Sequence, residues 1–222
     1  MHNPGTEERR DMLERGLRTF GIEPTDRALG LLCLFIDELL LWNRKMNLVG
    51  TSEVREIVVR HVLDSLSVYP FIKKVKEPIL DVGAGAGFPS LPLAIADESL
   101  TLRGVERRKK RAAFLNNAAV ILRLANFSVL ECDVRDLEGR YRVVLARGVG
   151  ELLYLYGLVR GILEEKAMII AFKGKMSEIE KEVGRLKGAV RLDKDVNLHI
   201  QKVDVPYLDD EERNIVIIET NP

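Results

Sequence analysis

The chain has 222 residues, 46% of them apolar, enough to build one sizeable core. Lysine plus arginine and aspartate plus glutamate number 34 each, so no net field draws it toward nucleic acid or a membrane; any RNA contact must come from a local basic patch. The two cysteines, Cys33 and Cys132, lie far apart without a CxxC or Cys/His cluster, which argues against a metal site and fits a reducing compartment.

The charged start "MHNPGTEERRDMLERG" has no signal-peptide core, and "ALGLLCLFIDELLLW" is too short and too polar to span a bilayer. A cytoplasmic protein is expected. Met12, Leu13, Leu17 and Phe20 predict a helix over 6–20. Leu29, Leu32, Phe35, Ile36, Leu39 and Leu40 predict a second over 25–43. A third is expected from Ser52, a plausible N-cap, to Tyr69.

The pattern then changes. Strands are predicted at 78–82, 101–106, 127–132, 141–146 and 167–174, and helices at 90–98, 108–125, 150–165 and 176–188. Two late strands, near 190–203 and 213–219, have no long helix between them and suggest an antiparallel edge hairpin. The expected architecture is a helical cap (1–75) on a mostly parallel, doubly wound α/β domain (76–222).

"ILDVGAGAGFP" (79–89) is the most informative stretch. Gly83, Gly85 and Gly87 stand at alternate positions between the first strand and the next helix, where an open α/β sheet binds ligands. A nucleoside triphosphate is disfavoured, because GxxxxGK[ST] is absent. A dinucleotide is disfavoured by Phe88, which holds the place of its third glycine. S-adenosylmethionine suits DxGxGxG best: Asp81 is an acid near a cationic ligand, and no Lys or Arg lies between Pro78 and Leu102. Glu106 ends the second strand about 20 residues beyond the loop, the spacing at which an acid accepts from ribose hydroxyls. Asp133 follows the third strand and is a candidate acceptor for the adenine amino group, or equally a turn-capping residue.

The substrate is narrowed by what is missing. There is no [DNS]PP[YFW] motif for amino-group methylation, and neither cysteine sits in a Pro-Cys context for pyrimidine C5 attack. What remains is an acceptor atom with a ready lone pair, which needs positioning and no general base.

"LLWNRKMNLVG", "VVRHVLDSL", "LDVGAGAGFPSLPLAI", "RRKKRAAFL", "VLARGV", "AFKGKM" and "VPYLDDEERNIVIIE" together resemble the RsmG (GidB) family over roughly 35–219. Its members are bacterial guanine-N7 methyltransferases of small-subunit ribosomal RNA. The resemblance implies a class I S-adenosylmethionine-dependent fold, and a guanine of the 530 loop in the decoding region of 16S ribosomal RNA as target, free or in a precursor subunit. It implies a donor pocket of Asp81, Gly83, Gly85, Gly87, Phe88, Glu106, Asp133, Val134, Arg135 and Arg147, with Arg147 also positioning the nucleotide. The chain departs from the family at Asp133-Val134-Arg135, where Arg-x-Glu is usual. A basic rim of Arg44, Lys45, Arg60, Arg108, Lys109, Lys110, Lys173 and Lys175 is the expected RNA surface. A monomer without metal is expected. The alternative is a methyltransferase for a small molecule or protein, which would have a more apolar cap and no basic rim.

Overall fold

A computed structural model describes residues 4–189 and 196–220. Helix α1 (Pro4–Thr19) and helix α2 (Asp26–Met46) form where the apolar periodicity predicts them. Met12, Leu13, Leu17 and Phe20 are buried, as are Leu29, Leu32, Phe35, Ile36 and Leu39. The Thr25 hydroxyl caps α2 by accepting from the Ala28 N–H at 3.1 Å. Asn47 closes the helix at φ 47°, a left-handed conformation that asparagine tolerates better than most residues.

The third expected helix is interrupted. It runs as α3 (Val54–Ile57), a π-helical stretch (Val58–Leu63) and α4 (Asp64–Leu66), followed by a separate α5 (Tyr69–Ile72). Ser52 is not its cap: Glu53 holds that position without a side-chain bond, and the Thr51 hydroxyl accepts the Glu53 N–H. The widened π turn carries Arg60 and His61, and the Arg60 carbonyl accepts from Arg147.

The strands are β1 (Ile79–Val82), β2 (Leu102–Val105), β3 (Phe127–Leu130), β4 (Tyr141–Arg147), β5 (Leu163–Lys173), β6 (Val196–Lys202) and β7 (Asn214–Thr220). Between them lie α6 (Ser90–Ala96), α7 (Lys109–Ile121), α8 (Leu152–Val159) and α9 (Met176–Ala189). They form one seven-stranded sheet in the order β3-β2-β1-β4-β5-β7-β6. The first five strands are parallel, and β7 runs antiparallel to both β5 and β6. The edge hairpin is present, with the last strand, β7, on its inner side between β5 and the edge strand β6; residues 190–195 of the expected strand lie outside the described residues.

One expected boundary is wrong. The stretch Leu163–Glu165 is strand, not helix: α8 ends at Val159, and Leu163 already pairs with Tyr141 of β4. Ladder pairing overrides the helical preference of Leu-Glu-Glu.

Alternate residues of the strands face two layers. Ile79, Leu102, Val143, Leu145, Ile170 and Ile215 share a core with α1, α2, α6, α7 and the α3–α4 segment. Leu80, Val82, Val144, Ile169 and Val216 pack with α8 and α9. The strand order reverses at β1, between β2 and β4, which opens a crevice at their carboxyl ends.

Candidate active site

The glycine loop leaves β1 at this crevice. Gly83, Gly85 and Gly87 all have positive φ, at 71°, 57° and 88°. Gly87 is also required by space, since a Cβ there would lie 2.3 Å from Leu91 Cδ1 in α6. At Gly83 a Cβ would make only an ordinary contact, 3.5 Å from Val149.

Glu106 ties this loop to α7. One carboxylate oxygen accepts the Gly85 N–H at 3.1 Å and the other accepts the Arg108 N–H at 2.8 Å. Each oxygen keeps a second lone pair, and Glu106 lines a cavity of about 260 Å³ with Val82, Gly83, Asp133, Val134 and Gly148. Gly148 has φ 71°, and a Cβ there would meet nothing within 4 Å. A carboxylate with spare acceptors beside a backbone-walled cavity fits the ribose of an adenosine. Tyr154 and Leu158 of α8 add an aromatic and an aliphatic side chain to its wall.

Asp81 does not reach this cavity. It is fully buried, and Oδ2 accepts the Ser90 N–H at 3.3 Å, holding the start of α6 against β1. Burial lifts its pKa to about 6. The expected direct charge pairing between Asp81 and a cationic ligand is therefore corrected. Nor is the cavity poor in cations: Arg107, Arg108, Arg111 and Arg135 line it, all supplied by segments beyond the glycine loop. Asp133 is engaged by its neighbours. Its carboxylate accepts from Arg135 N and Nε at 3.1 and 3.0 Å, and Arg135 holds its pKa down to about 2. The exchanged charges of Asp133 and Arg135 thus pair with each other.

Phe88 turns away from the cavity into the core, 6% exposed, with the His61 ring stacked on it at 5.0 Å and Phe35 edge-on at 5.4 Å. Arg147 stands over the same ring at 5.7 Å. Its Nε donates to Asp64 at 2.9 Å, and one terminal nitrogen donates to the Arg60 carbonyl and meets His61 Nδ1 at 3.2 Å. Arg147 thus clamps the α3–α4 segment to the end of β4, one residue before cavity-lining Gly148.

Asp64, only 3% exposed, also accepts from Arg213 at 3.2 Å, and Arg213 pairs with Glu211, which pairs with Arg60. Burial raises the Asp64 pKa although both arginines lower it. His61 is held down to about 4, by burial first and then by Arg147. Asn43 pins the loop after α2 by donating to the Thr51 carbonyl and accepting the Val49 N–H.

The expected basic rim divides. Arg44, Lys45, Arg108, Lys109, Lys110 and Lys175 are exposed. Lys173 is not part of it: its ammonium donates to Glu182 at 2.6 Å and to the Gly150 carbonyl at 2.7 Å. Arg60 is committed to Glu211. Sequence reading missed Gly148, Tyr154 and Leu158 as cavity residues, although "ARGVG" carried a glycine signal just after β4. It also left the roles of Asn43, Asn47, His61 and Asp64 open and did not single out Arg213.

A family model described as rRNA small subunit methyltransferase G (GidB) matches residues 29–216. The chain belongs to this family. Ribosomal RNA small subunit methyltransferase G of Neisseria meningitidis serogroup B is 32% identical over 212 residues, 95% of this chain and 98% of that protein. Its counterpart in Borrelia turicatae is 34% identical over 176 residues, 78% and 85% of the two chains. Among solved structures, the O-methyltransferase from Bacillus cereus in complex with SAH superposes with a TM-score of 0.56 at 12% identity, covering 89% of this chain and 92% of that one. TrmN from Thermus thermophilus gives 0.51 at 16% identity, covering 72% and 48%. These likenesses establish the class I methyltransferase fold. Among the described residues no helix is long and apolar enough to cross a membrane, and no cluster of three metal-ligating side chains occurs.

Proposed function

We propose that this protein methylates N7 of a guanine in the 530 loop of 16S ribosomal RNA. Methyl transfer to small-subunit ribosomal RNA is the activity of its family, with S-adenosylmethionine as the donor. The observation that carries the reading is the cavity at the β1/β4 switch point, walled by Gly83 and Gly148 and edged by the Glu106 carboxylate. When bound, the donor supplies an electrophilic methyl group. Gly83, Gly148 and Glu106 hold its adenosine part, while Val134 and Tyr154 keep water from the base.

An N7 target suits what surrounds the loop. Guanine N7 has an in-plane lone pair and loses no proton when it takes a methyl group, so the protein need only position it. Among the described residues His61 is the one histidine near the loop, and it is stacked, bonded and neutral. Arg147 acts as a positioning residue, fixing the cap against the end of β4 so that the incoming base meets the donor from one side. The helical segment 1–75 forms the RNA-facing cap of the α/β segment 76–222, and the protein works as a cytoplasmic monomer. The exposed cations Arg44, Lys45, Arg108, Lys109, Lys110 and Lys175 supply its phosphate contacts.

The test is mass mapping of 16S ribosomal RNA from cells with and without the gene, followed by methyl transfer in vitro to unmodified subunits. One methyl on a guanine of the 530 loop, at N7, is the expected result. A methyl on another atom of the RNA, or on a protein, sinks the assignment.

A further inference from the structure

We infer that a second pocket, at the carboxyl end of α2, receives an unpaired base of the RNA substrate. The inference rests on the RNA reading above. The pocket holds about 490 Å³ and is lined by Leu41, Trp42, Lys45, Met46 and Lys110. Trp42 and Met46 are spaced i, i+4 on α2, as are Leu41 and Lys45, so they form neighbouring rows on the helix surface.

Trp42 is fixed from behind. Its ring meets the buried Phe114 of α7 edge-on, at 5.7 Å and 62°, and the rest of the side chain is only partly covered. Leu41 beside it is 53% exposed and adds aliphatic surface to the same pocket. The floor is therefore aromatic and aliphatic, and two ammonium groups stand on its rim. Among the described residues no carboxylate lines it.

That combination selects the occupant. An apolar protein segment would use the floor but leave the two cations without partners. A nucleotide uses both, with its base on Trp42 and its phosphates at Lys45 and Lys110. The lining offers little that could read base edges: the indole N–H, a thioether and the two ammonium groups. Stacking there is expected to tolerate any base, because every base has a π-face.

The position relative to the donor cavity supports the same occupant. Lys110 lies in the first turn of α7, and Arg107, Arg108 and Arg111 around it line the donor cavity. The two pockets thus flank one helical turn, whose width is about 10 Å. A single strand crossing the amino end of α7, where the helix dipole favours phosphate, would reach both. Splaying one base onto Trp42 would hold the target guanine's strand open at the methylation site.

Trp42 is the only tryptophan of the chain, so its fluorescence reports on the pocket directly. The full-length protein is titrated with a synthetic RNA hairpin of the 530-loop sequence, with single-stranded oligoadenylate and with a blunt RNA duplex. Binding is followed in parallel by anisotropy of labelled copies. Quenching by the hairpin and by oligoadenylate, and none by the duplex, is expected. Trp42→Leu should weaken hairpin binding about five- to a hundredfold, and Trp42→Phe should restore most of it. Lys45→Ala and Lys110→Ala should each flatten the log–log salt dependence by about 0.7. Should Trp42→Leu fail to fold by circular dichroism, Met46→Ala and Lys110→Ala carry the test.

Hairpin binding without any change in Trp42 fluorescence would overturn the proposal and leave the methyltransferase reading intact. Quenching by assembled small subunits but by no protein-free RNA would assign the pocket to a subunit protein and also overturn it. Absence of both RNA binding and methyl transfer to subunits would remove the RNA reading itself.

Discussion

The two sides of the cleft are built from different materials. On the donor side the work is done by backbone: three alternate glycines, the Gly85 N–H and the Arg108 N–H, organised by one carboxylate, Glu106. On the cap side it is done by side chains: Asp64, Arg147, Arg213, Glu211, Arg60 and His61. A backbone site draws on residues close in sequence, so its signature is compact. A side-chain network can recruit from anywhere, and this one joins residues 60 to 213. The difference predicts how each side fails when altered.

The largest effect is expected where the backbone side has no slack. Gly87→Ala combines a φ of 88° with a Cβ 2.3 Å from Leu91 Cδ1, and Leu91 is fully buried. The left-handed conformation costs about 1–2 kcal/mol and overpacking about 1–3. Urea unfolding should show a loss of about 2–5 kcal/mol. Gly83→Ala should lose only the conformational part, about 1–2 kcal/mol, while impairing donor binding. Equal losses for the two would mean that space plays no part at Gly87.

Next comes the centre of the cap network. Asp64→Ala leaves Arg147 and Arg213 without their shared carboxylate. Breaking a buried pair costs about 3–5 kcal/mol, and with both arginine side chains about a fifth exposed the lower figure applies, near 3 kcal/mol. Urea unfolding measures this, and a loss under about 1 kcal/mol would reduce the network to a surface ion pair. Donor affinity, measured on the folded fraction by calorimetry, should barely move, because Asp64 does not line the donor cavity.

Glu106→Gln should do the reverse. It keeps the size of the side chain but replaces one acceptor oxygen with a donor NH₂, so one of the two backbone bonds or a ribose contact is lost. Charge-assisted hydrogen bonds are worth about 1.5–3 kcal/mol, so donor affinity should fall roughly ten- to a hundredfold in calorimetry. A fall below about twofold would confine Glu106 to bracing the loop.

How much of this was legible depends on the same distinction. The strand–helix alternation, the glycine loop and Glu106 could be placed from local patterns, and the sheet and cavity put them where expected. Asp81 was legible as a signal but misread in role: an acid after a buried strand looks like a ligand contact, and only burial reveals that it faces Ser90. Phe88 was misplaced for the same reason. Arg60 looked like a free cation because its partner Glu211 is distant in sequence, and Lys173 because Glu182, only nine residues on, meets it by the packing of α9 beside the end of β5. The strand at Leu163–Glu165 was hidden because its helical preference is overruled by pairing with β4, a long-range fact.

The smallest effect sets one residue from each side against the other. Asp81, beneath the glycine loop, has its pKa raised from 3.8 to about 6. Between those values the folded state binds the proton more tightly than the unfolded chain, so Asp81 makes stability fall as pH rises. His61, at the cap junction, has its pKa lowered from 6.5 to about 4. Across that window the unfolded chain binds the extra proton, so His61 makes stability rise with pH. The two windows overlap between about pH 4 and 6, and their slopes have opposite sign, each at most about 1.4 kcal/mol per pH unit. Subtracting wild-type from variant stabilities removes the other carboxylates common to both. Asp81→Asn keeps an acceptor for the Ser90 N–H, and its difference curve should climb with pH from 4 to 6. His61→Phe keeps the stack on Phe88, and its difference curve should descend over the same range. Guanidinium unfolding at half-unit pH steps measures both. Curves that slope the same way would mean that one of the two groups does not titrate as its surroundings dictate.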